Sequence, residues 1–114
     1  MRIVIVGAGN VGRSIARELT AHGHQILLID KNPKAMKPDT VPEAEWLCAD
    51  ACELATLEEA RIDNCDIAIS ATGDDKVNLV HSLLAKTEFG VPRTVARVNH
   101  PGNEWMFDRS EEHT

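Results

Sequence analysis

The sequence predicts an α/β fold, a doubly wound parallel sheet in a three-layer α/β/α arrangement. Two observations predict it. Short apolar segments alternate with amphipathic ones along the chain, and a glycine-rich turn follows the first apolar segment. The position of that turn favours the strand order 3-2-1-4-5. A complete fold of this type usually has a sixth strand, and we expect this sheet to be truncated before it.

Composition bounds the size and class of the protein. The 114 residues suffice for one domain, and 43% hydrophobic with 26% charged residues is typical of a packed globular core. The net charge of −6 argues against non-specific nucleic-acid binding, which needs clustered basic side chains. No apolar run approaches the roughly 20 residues that insert into a membrane. We therefore predict a cytoplasmic domain.

The first half of the chain reads as one strand-helix-strand unit and a less regular segment. Ile3–Val6 is a β-branched run, typical of a buried parallel strand. A helix that ends near Gly23 follows, with its apolar stripe at Val11, Ile15 and Leu19. Gln25–Asp30 is the second strand. Asn32-Pro33 then opens a poorly patterned segment that Pro38 and Pro42 keep short.

The second half repeats the alternation. The predicted elements are strand three at Trp46–Cys48, a short helix with Leu54, Leu57 and Ala60, strand four at Asp66–Ala71, a helix with the stripe Val77, Val80 and Leu84, strand five at Thr94–Val98, and a short helix around Trp105, Met106 and Phe107. Asp74 or Asp75 caps the longer helix, and Gly90-Val91-Pro92 ends it. We assign residues 1–107 to one domain. Residues 108–114 are a polar tail, for which disorder and a non-native origin both stay open.

The glycine turn Gly7-Ala8-Gly9-Asn10-Val11-Gly12 carries the clearest functional signal. It follows a buried strand directly and opens a helix, which is the context of a Rossmann-type nucleotide site. Gly7 permits the tight turn, Gly9 lets a pyrophosphate approach the backbone, and Gly12 lets helix and strand pack closely. The first N–H groups of the helix then face the phosphates. We predict that an adenine nucleotide, NAD(H) or ATP/ADP, binds here.

Asp30 at the end of strand two is the expected partner of the ribose. It lies near the spacing of about 20 residues after the glycine turn at which such an acid is found. Its carboxylate accepts hydrogen bonds from the ribose hydroxyls and repels a 2′-phosphate, so NADP is disfavoured; the neighbouring Lys31 softens that repulsion. The alternative interpretation is a solvated carboxylate at a strand end.

Other strand ends should line the same crevice, because ligands of open α/β sheets bind at the carboxyl ends of the strands. This nominates Asp50 and Ala51 after strand three, and Thr72, Gly73 and Asp74 after strand four. Arg97 in strand five needs a partner, because an unpaired guanidinium is costly in an apolar strand. Contact with the ligand and an ion pair with Asp74 or Asp75 are both open.

No catalytic or metal site is predicted. Cys48, Cys52 and Cys65 have no partners at metal-ligand spacing, and we interpret them as reduced thiols. His81 on a helix and His100 after strand five are interpreted as structural or solvated side chains. The main alternative function is the cofactor-binding domain of an NAD-dependent dehydrogenase. Hydride transfer, however, needs a substrate site that the chain does not supply.

Five segments occur in a characteristic order: IVIVGAGNVGRSIA, LLIDKNP, CADA, AISATGDDKVN and ARVNHP. In this order the chain resembles the TrkA-type proteins, the cytoplasmic regulators of Trk/Ktr potassium uptake, over residues 1–107. Their nucleotide-binding domain is called KTN and is related to the RCK domains of potassium channels. The sequence departs from the family at Ala49, where glycine is common, and in lacking the usual continuation.

The resemblance implies regulation and not catalysis. It implies that NAD(H) or ATP/ADP is held by Gly7 to Val11, Asp30, Asp50, Ala51, Thr72, Gly73 and Arg97. It also implies a dimer or larger ring, placed at the inner face of the cell membrane against a membrane-embedded potassium-transport subunit. Nucleotide binding would then bias the ring between conformations and gate ion flux.

Overall fold

The computed structural model of the chain describes residues 1–106 and 112–113. Its strands form one parallel sheet with the order β3-β2-β1-β4-β5-β6. The strands are β1 (Arg2–Val6), β2 (Gln25–Asp30), β3 (Glu45–Cys48), β4 (Ile67–Ser70), β5 (Arg93–Ala96) and β6 (Glu112–His113). The predicted fold class and the order of the first five strands are confirmed.

Within the described residues, three α-helices and four short 3₁₀ helices connect the strands. They are α1 (Asn10–Ala21), α2 (Leu54–Glu59) and α3 (Asp75–Thr87), with 3₁₀ helices at Pro33–Ala35, Pro38–Thr40, Ile62–Asn64 and Pro101–Met106. The segment after Asn32 stays irregular because Pro33 and Pro38 each begin a short 3₁₀ helix. The predicted short helix near Trp105 is a 3₁₀ helix, and Phe107 lies outside the described residues.

Two apolar cores lie on opposite faces of the sheet, because successive side chains of a strand point in opposite directions. Ile3 and Ile5 of β1 pack with Ala16 of α1 on one face. Val4 and Val6 pack with Leu57 of α2 and other side chains on the second face. These four β1 side chains are buried, which explains why the sequence shows a continuous apolar run there. This is the predicted three-layer arrangement.

The far end of the sheet differs from the prediction in two ways. Strand β5 ends at Ala96 and not at Val98. The N–H of Arg97 still donates to the carbonyl of Ser70 at 2.9 Å. Its carbonyl, however, accepts from the Asn78 side chain at 2.9 Å, which takes the chain out of the sheet.

The sheet also continues beyond the five predicted strands. Glu112–His113 pairs in parallel with β5 as a two-residue β6. A sixth strand is therefore present, where the sequence led us to expect truncation. The remainder of the predicted polar tail, residues 108–111 and 114, lies outside the described residues.

The strand order reverses between β1 and β4, which are neighbours in the sheet but far apart in sequence. The chain leaves β1 towards β2 and β3, and leaves β4 towards β5. The connections at the carboxyl ends of these strands therefore separate and leave a crevice between them. Eight of the predicted site residues line this crevice.

Candidate functional site

The first and third glycines of the turn are required by the fold itself. Gly7 has a φ of +106°, and a Cβ atom there would lie 2.9 Å from the carbonyl carbon of Ala71. A Cβ atom on Gly12 would lie 1.7 Å from the carbonyl oxygen of Gly7. Both positions therefore exclude any larger residue, which agrees with the tight turn and the close helix packing that the sequence predicts.

Gly9 differs from its two neighbours. Its φ of −77° is accessible to any residue, and a Cβ atom there would meet nothing within 4 Å. Neither the backbone nor the described protein atoms require a glycine at this position. The space beside it is open, as the approach of a ligand to the backbone would require.

The amino end of α1 offers free hydrogen-bond donors beside this open space. Gly9 is the residue that caps α1 and has no side chain to accept a hydrogen bond from the first turn, which also holds no acidic residue. Helix geometry leaves the first N–H groups without partners inside the helix. The exposed Asn10 and Val11 are in this turn, so the donors and the positive end of the helix dipole are available to an anion.

Asp30 is placed between the glycine turn and the crevice. One carboxylate oxygen accepts from the N–H of Ala8 at 2.9 Å, and the other accepts from the N–H of Asn32 at 2.9 Å. The half-buried carboxylate thus connects the end of β2 to the turn after β1. A carboxylate accepts more than two hydrogen bonds, so capacity remains for the hydroxyls of a ligand.

A crevice of about 190 Å³ opens at the carboxyl ends of β1 to β4. Eight predicted site residues line it: Gly7, Asp30, Lys31, Asp50, Ala51, Thr72, Gly73 and Asp74. Four others complete the lining: Val6, Ile29, Ala49 and Val77. The fold thus gathers predicted residues from four separate strand ends into one place.

The remaining predicted residues lie outside that lining. They are Ala8, Gly9, Asn10, Val11, Gly12 and Arg97. The first five form the glycine turn and the start of α1, adjacent to Gly7. Ala8 uses its N–H to bind Asp30.

The apolar lining was the part that sequence reasoning missed. The sequence pattern places Val6, Ile29 and Val77 only at core positions of a strand or helix. A side chain at the edge of a core can also line a binding site. The signal for Val6 and Ile29 was their position near a strand end. Ala49, where the sequence departs from the family pattern, also lines the crevice.

Arg97 is half-buried beyond the end of β5, and the proposed ion pair is not formed. Among the described residues no ion pair joins its guanidinium to Asp74 or Asp75. Both carboxylates are otherwise engaged. Asp74 caps α3 by accepting from the N–H groups of Lys76 and Val77, and Asp75 accepts from the segment after β5. Of the two roles that the sequence leaves open for Arg97, the ion pair with Asp74 or Asp75 is therefore wrong.

Asp75 is buried and joins α3 to the segment after β5. Its carboxylate accepts from the N–H and the side-chain amide of Asn99 at 2.7 and 2.9 Å, from the N–H of His100 at 3.0 Å, and from the side chain of Asn103 at 2.9 Å. These hydrogen bonds, led by the Asn99 N–H, hold the pKa of Asp75 well below its ordinary range. Asp74, and not Asp75, is the helix cap.

Asn78 of α3 does not line the crevice but binds the crevice residue Thr72. Its side-chain oxygen accepts from the N–H of Thr72 at 3.1 Å and from the Thr72 hydroxyl at 2.6 Å. Its amide group donates to the carbonyls of Thr72 and Arg97. The side chain is fully buried and satisfied, so the strand-four wall of the crevice is held rigidly.

His81 and Cys52 lie at the junction between α3 and the turn after β3. The His81 Nδ1 atom lies 3.3 Å from the carbonyl oxygen of Ala51, and the Cys52 thiol lies 3.8 Å from the carbonyl oxygen of Val77. Burial lowers the pKa of His81 to about 4 and, with the nearby Asp50 carboxylate, raises the pKa of the Cys52 thiol. His81 is therefore a neutral, buried side chain near neutral pH.

The three cysteines are free thiols: Cys65 is buried, Cys52 is half-buried and Cys48 is exposed. Within residues 1–106 and 112–113 no group of three histidine, cysteine, aspartate or glutamate side chains is arranged to hold a metal ion. Over the same residues, no helix has the length and apolar character that crossing a membrane requires.

Comparison with known proteins identifies relatives over nearly the whole chain. Residues 3–113 match the family model of the TrkA-N domain. The Trk system potassium uptake protein TrkA of Mycobacterium tuberculosis is 56% identical over 108 residues, which cover 95% of this chain and 49% of that protein. The chain thus spans about half the length of the curated relatives it matches.

Solved structures support the same fold. The AMP-bound carboxyl-terminal domain of Kef from Shewanella denitrificans superposes with a TM-score of 0.83 at 19% identity, covering 100% of this chain and 72% of that one. The GsuK RCK domain superposes with a TM-score of 0.78 at 26% identity, covering 98% of this chain and 25% of that one.

Proposed function

The chain belongs to the TrkA-N domain family, and from this premise we propose that it is a nucleotide-binding regulatory domain of a Trk/Ktr-type potassium uptake system. It takes an adenine nucleotide, NAD(H) or ATP/ADP, in the crevice at the carboxyl ends of β1 to β4. The phosphates lie against the amino end of α1, the ribose lies against Asp30, and the base enters the crevice beyond.

The observation that carries this proposal is the open space at Gly9. Gly7 and Gly12 are explained by the fold, whereas nothing in the described protein explains a glycine at position 9. A phosphate approaching the backbone does explain it, because a Cβ atom there would occupy the ligand's position. The unpaired N–H groups of α1 lie beside the same space, as an anion requires.

The composition of the crevice supports a base and a ribose within it. Val6, Ile29, Ala49, Ala51 and Val77 form apolar walls suited to the faces of a purine. The acidic side chains Asp30, Asp50 and Asp74 outnumber the single lysine, Lys31. A 2′-phosphate would meet these carboxylates, so NADP binds more weakly than NAD. Arg97 lies outside this lining and remains a candidate for contact with the phosphates.

Nucleotide binding is tested by calorimetric titration of the purified chain with NAD⁺, NADH, ATP, ADP and NADP⁺. We expect at least one adenine nucleotide to bind and NADP⁺ to bind more weakly than NAD⁺. If none of the five ligands binds, the proposal fails. A co-purified nucleotide, identified by mass spectrometry, would name the physiological ligand directly.

Asp30 provides the sharper test of the ribose position. We expect Asp30→Ala to weaken nucleotide binding by more than about tenfold, which corresponds to about 1.4 kcal/mol. Because Asp30 also accepts from the Ala8 N–H, Asp30→Asn is the matched control that keeps a side-chain oxygen there. Unchanged affinity in Asp30→Ala would remove Asp30 from the site.

The regulatory role rests on the relatives and not on a catalytic geometry. The relative from Mycobacterium tuberculosis is named for potassium uptake. We propose that the domain binds its ligand without turnover, assembles as a dimer or ring, and acts at the inner face of the membrane on an embedded potassium-transport subunit. Oxidation or reduction of the bound nicotinamide with a small substrate would favour the dehydrogenase alternative.

A further inference from the structure

Two contacts join α3 to the turn after β3, and we call this junction the α3 seam. His81 faces the carbonyl of Ala51 at 3.3 Å, and the thiol of Cys52 faces the carbonyl of Val77 at 3.8 Å. Ala51 and Val77 both line the crevice. The α3 seam therefore determines the distance between two apolar walls of the crevice, Ala51 and Val77. Neither His81 nor Cys52 is part of the crevice lining.

His81 is an unusual side chain for its position. It is fully buried within a helix that packs on the sheet, and its Nε2 atom has no hydrogen-bond partner among the described residues. A buried polar atom without a partner costs about 1–3 kcal/mol. A leucine would fill similar space without this cost, so packing alone does not account for the histidine.

The side-chain hydrogen bond from His81 to Ala51 is the feature that an apolar side chain would lose. Because Ala51 offers a carbonyl oxygen, Nδ1 must carry the hydrogen and donate it, which leaves Nε2 as the unpartnered acceptor. The bond spans 30 residues of sequence and ends on a residue that lines the crevice. The turn itself is shaped by a second local bond, from the Cys52 N–H to the Asp50 carboxylate at 2.9 Å.

We propose that His81 is a positioning residue for nucleotide binding: its Nδ1–H holds the Ala51 carbonyl and keeps the Ala51 wall at the distance from Val77 that fits a purine base. This inference rests on the proposed function, since it assigns the base to that part of the crevice. His81 does not touch the ligand. Without the bond, the turn after β3 moves relative to α3, and the base loses contact with one wall.

The test uses three variants and a matched control. His81→Leu removes the donor and keeps an apolar side chain of similar size. His81→Asn places an amide nitrogen near the position of Nδ1, whereas His81→Gln places it near Nε2. Ser82→Ala is the control, because Ser82 is also fully buried on α3 but its hydroxyl faces Ser70 and not the turn after β3.

Affinity is measured by NMR titration with AMP and with ribose 5-phosphate, which lacks the base. Loss of one hydrogen bond predicts that His81→Leu and His81→Gln bind AMP about three- to tenfold more weakly. We expect His81→Asn and Ser82→Ala to stay within about twofold of the parent chain. Binding of ribose 5-phosphate should be the same in all of them, because the defect concerns only the base.

The outcomes separate the inference from the proposed function. If the parent chain binds neither AMP nor any of NAD⁺, NADH, ATP, ADP and NADP⁺, the proposed function fails. If the parent chain binds AMP and His81→Leu binds it equally well, the assignment of His81 is overturned. A loss that is equal for AMP and ribose 5-phosphate, or equal in Ser82→Ala, also overturns it, since this would indicate general damage to the fold. Should His81→Leu not fold, the contrast between the Asn and Gln variants decides the question.

Discussion

At the scale of single residues, the three glycines of the first turn obey different constraints. Gly7 and Gly12 are fixed by contacts inside the protein, with Cβ positions 2.9 and 1.7 Å from backbone atoms. Gly9 has no such neighbour, and its backbone conformation is ordinary. A larger side chain at Gly9 should therefore affect what binds and not how the protein folds, whereas the reverse holds at Gly12.

This difference makes a paired prediction. Gly9→Val should abolish nucleotide binding and leave the free energy of unfolding within about 1 kcal/mol of the parent. Gly12→Ala should lower the free energy of unfolding by about 3 kcal/mol, because the overpacked helix must move away from the turn. Urea denaturation measures stability, and calorimetric titration measures binding. Tight binding by Gly9→Val would mean that the phosphates are bound elsewhere.

At the scale of secondary-structure elements, α3 connects several loops at the carboxyl edge of the sheet. Its buried polar side chains reach three of them: Asn78 binds Thr72 after β4, His81 faces Ala51 after β3, and Asp75 binds Asn99 after β5. A helix that only covered a sheet would need apolar contacts alone. The polar face of α3 therefore holds the walls of the crevice in a defined arrangement.

Asp75 gives this role a pH dependence that can be measured. Because its pKa is depressed in the folded protein, its carboxylate stabilises the fold above the ordinary aspartate pKa of about 4, and this contribution is lost as the pH falls through the folded value. We expect Asp75→Asn to be less stable than the parent at neutral pH, with the difference narrowing in acid. Urea denaturation of both proteins, from neutral pH into the acid range below the ordinary aspartate pKa, measures this difference in stability.

A second carboxylate serves as the control for the Asp75 experiment. Asp39 is exposed in the 3₁₀ helix Pro38–Thr40 and makes no comparable set of hydrogen bonds among the described residues. Asp39→Asn should leave stability at neutral pH nearly unchanged. A stability difference for Asp75→Asn that stays constant across the acid range would contradict the assigned role of its charge.

The elements themselves were largely predictable from local pattern. β1 and β2 are continuous apolar runs, and α1 has one apolar stripe, so periodicity located them within a residue or two. The end of β5 was not predictable, because it depends on Asn78 capturing the Arg97 carbonyl from another element. β6 was missed because two polar residues, Glu112 and His113, give no strand pattern.

The site was predictable only in part, for a related physical reason. Asp30, Thr72 and the glycine turn lie at strand ends, and the sheet topology brings such ends together. Contacts between distant side chains leave no mark in local sequence. The His81–Ala51 contact, the Asp75–Asn99 hydrogen bonds and the failure of Arg97 to pair with Asp74 all required the folded structure.

At the scale of the whole molecule, His81 ties global stability to pH. Burial lowers its pKa from an ordinary 6.5 to about 4 in the folded state. Between these two pH values the unfolded chain binds a proton at His81 that the folded chain does not bind. The contribution of neutral His81 to the free energy of unfolding is fully present above about pH 6.5, and it is lost progressively as the pH falls towards about 4. The loss amounts to about 3 kcal/mol.

Comparison of variants isolates this effect from that of the carboxylates. We expect His81→Leu to lose less stability than the parent chain between about pH 7 and pH 4, measured by urea denaturation at each pH. His22 is exposed at the end of α1, and His22→Asn controls for the loss of a histidine in general. Parallel pH profiles for the parent and His81→Leu would show that His81 takes up protons equally well in both states.

The reversal of strand order between β1 and β4 has a consequence for the integrity of the domain. Residues up to Ala51 form one side of the crevice, and residues from Thr72 onward form the opposite side. A nucleotide bound between them would contact both sides and so link the two halves of the sheet. If the chain is split in the segment between α2 and β4, each fragment carries only one side of the crevice. Adding nucleotide should then promote association of the two fragments.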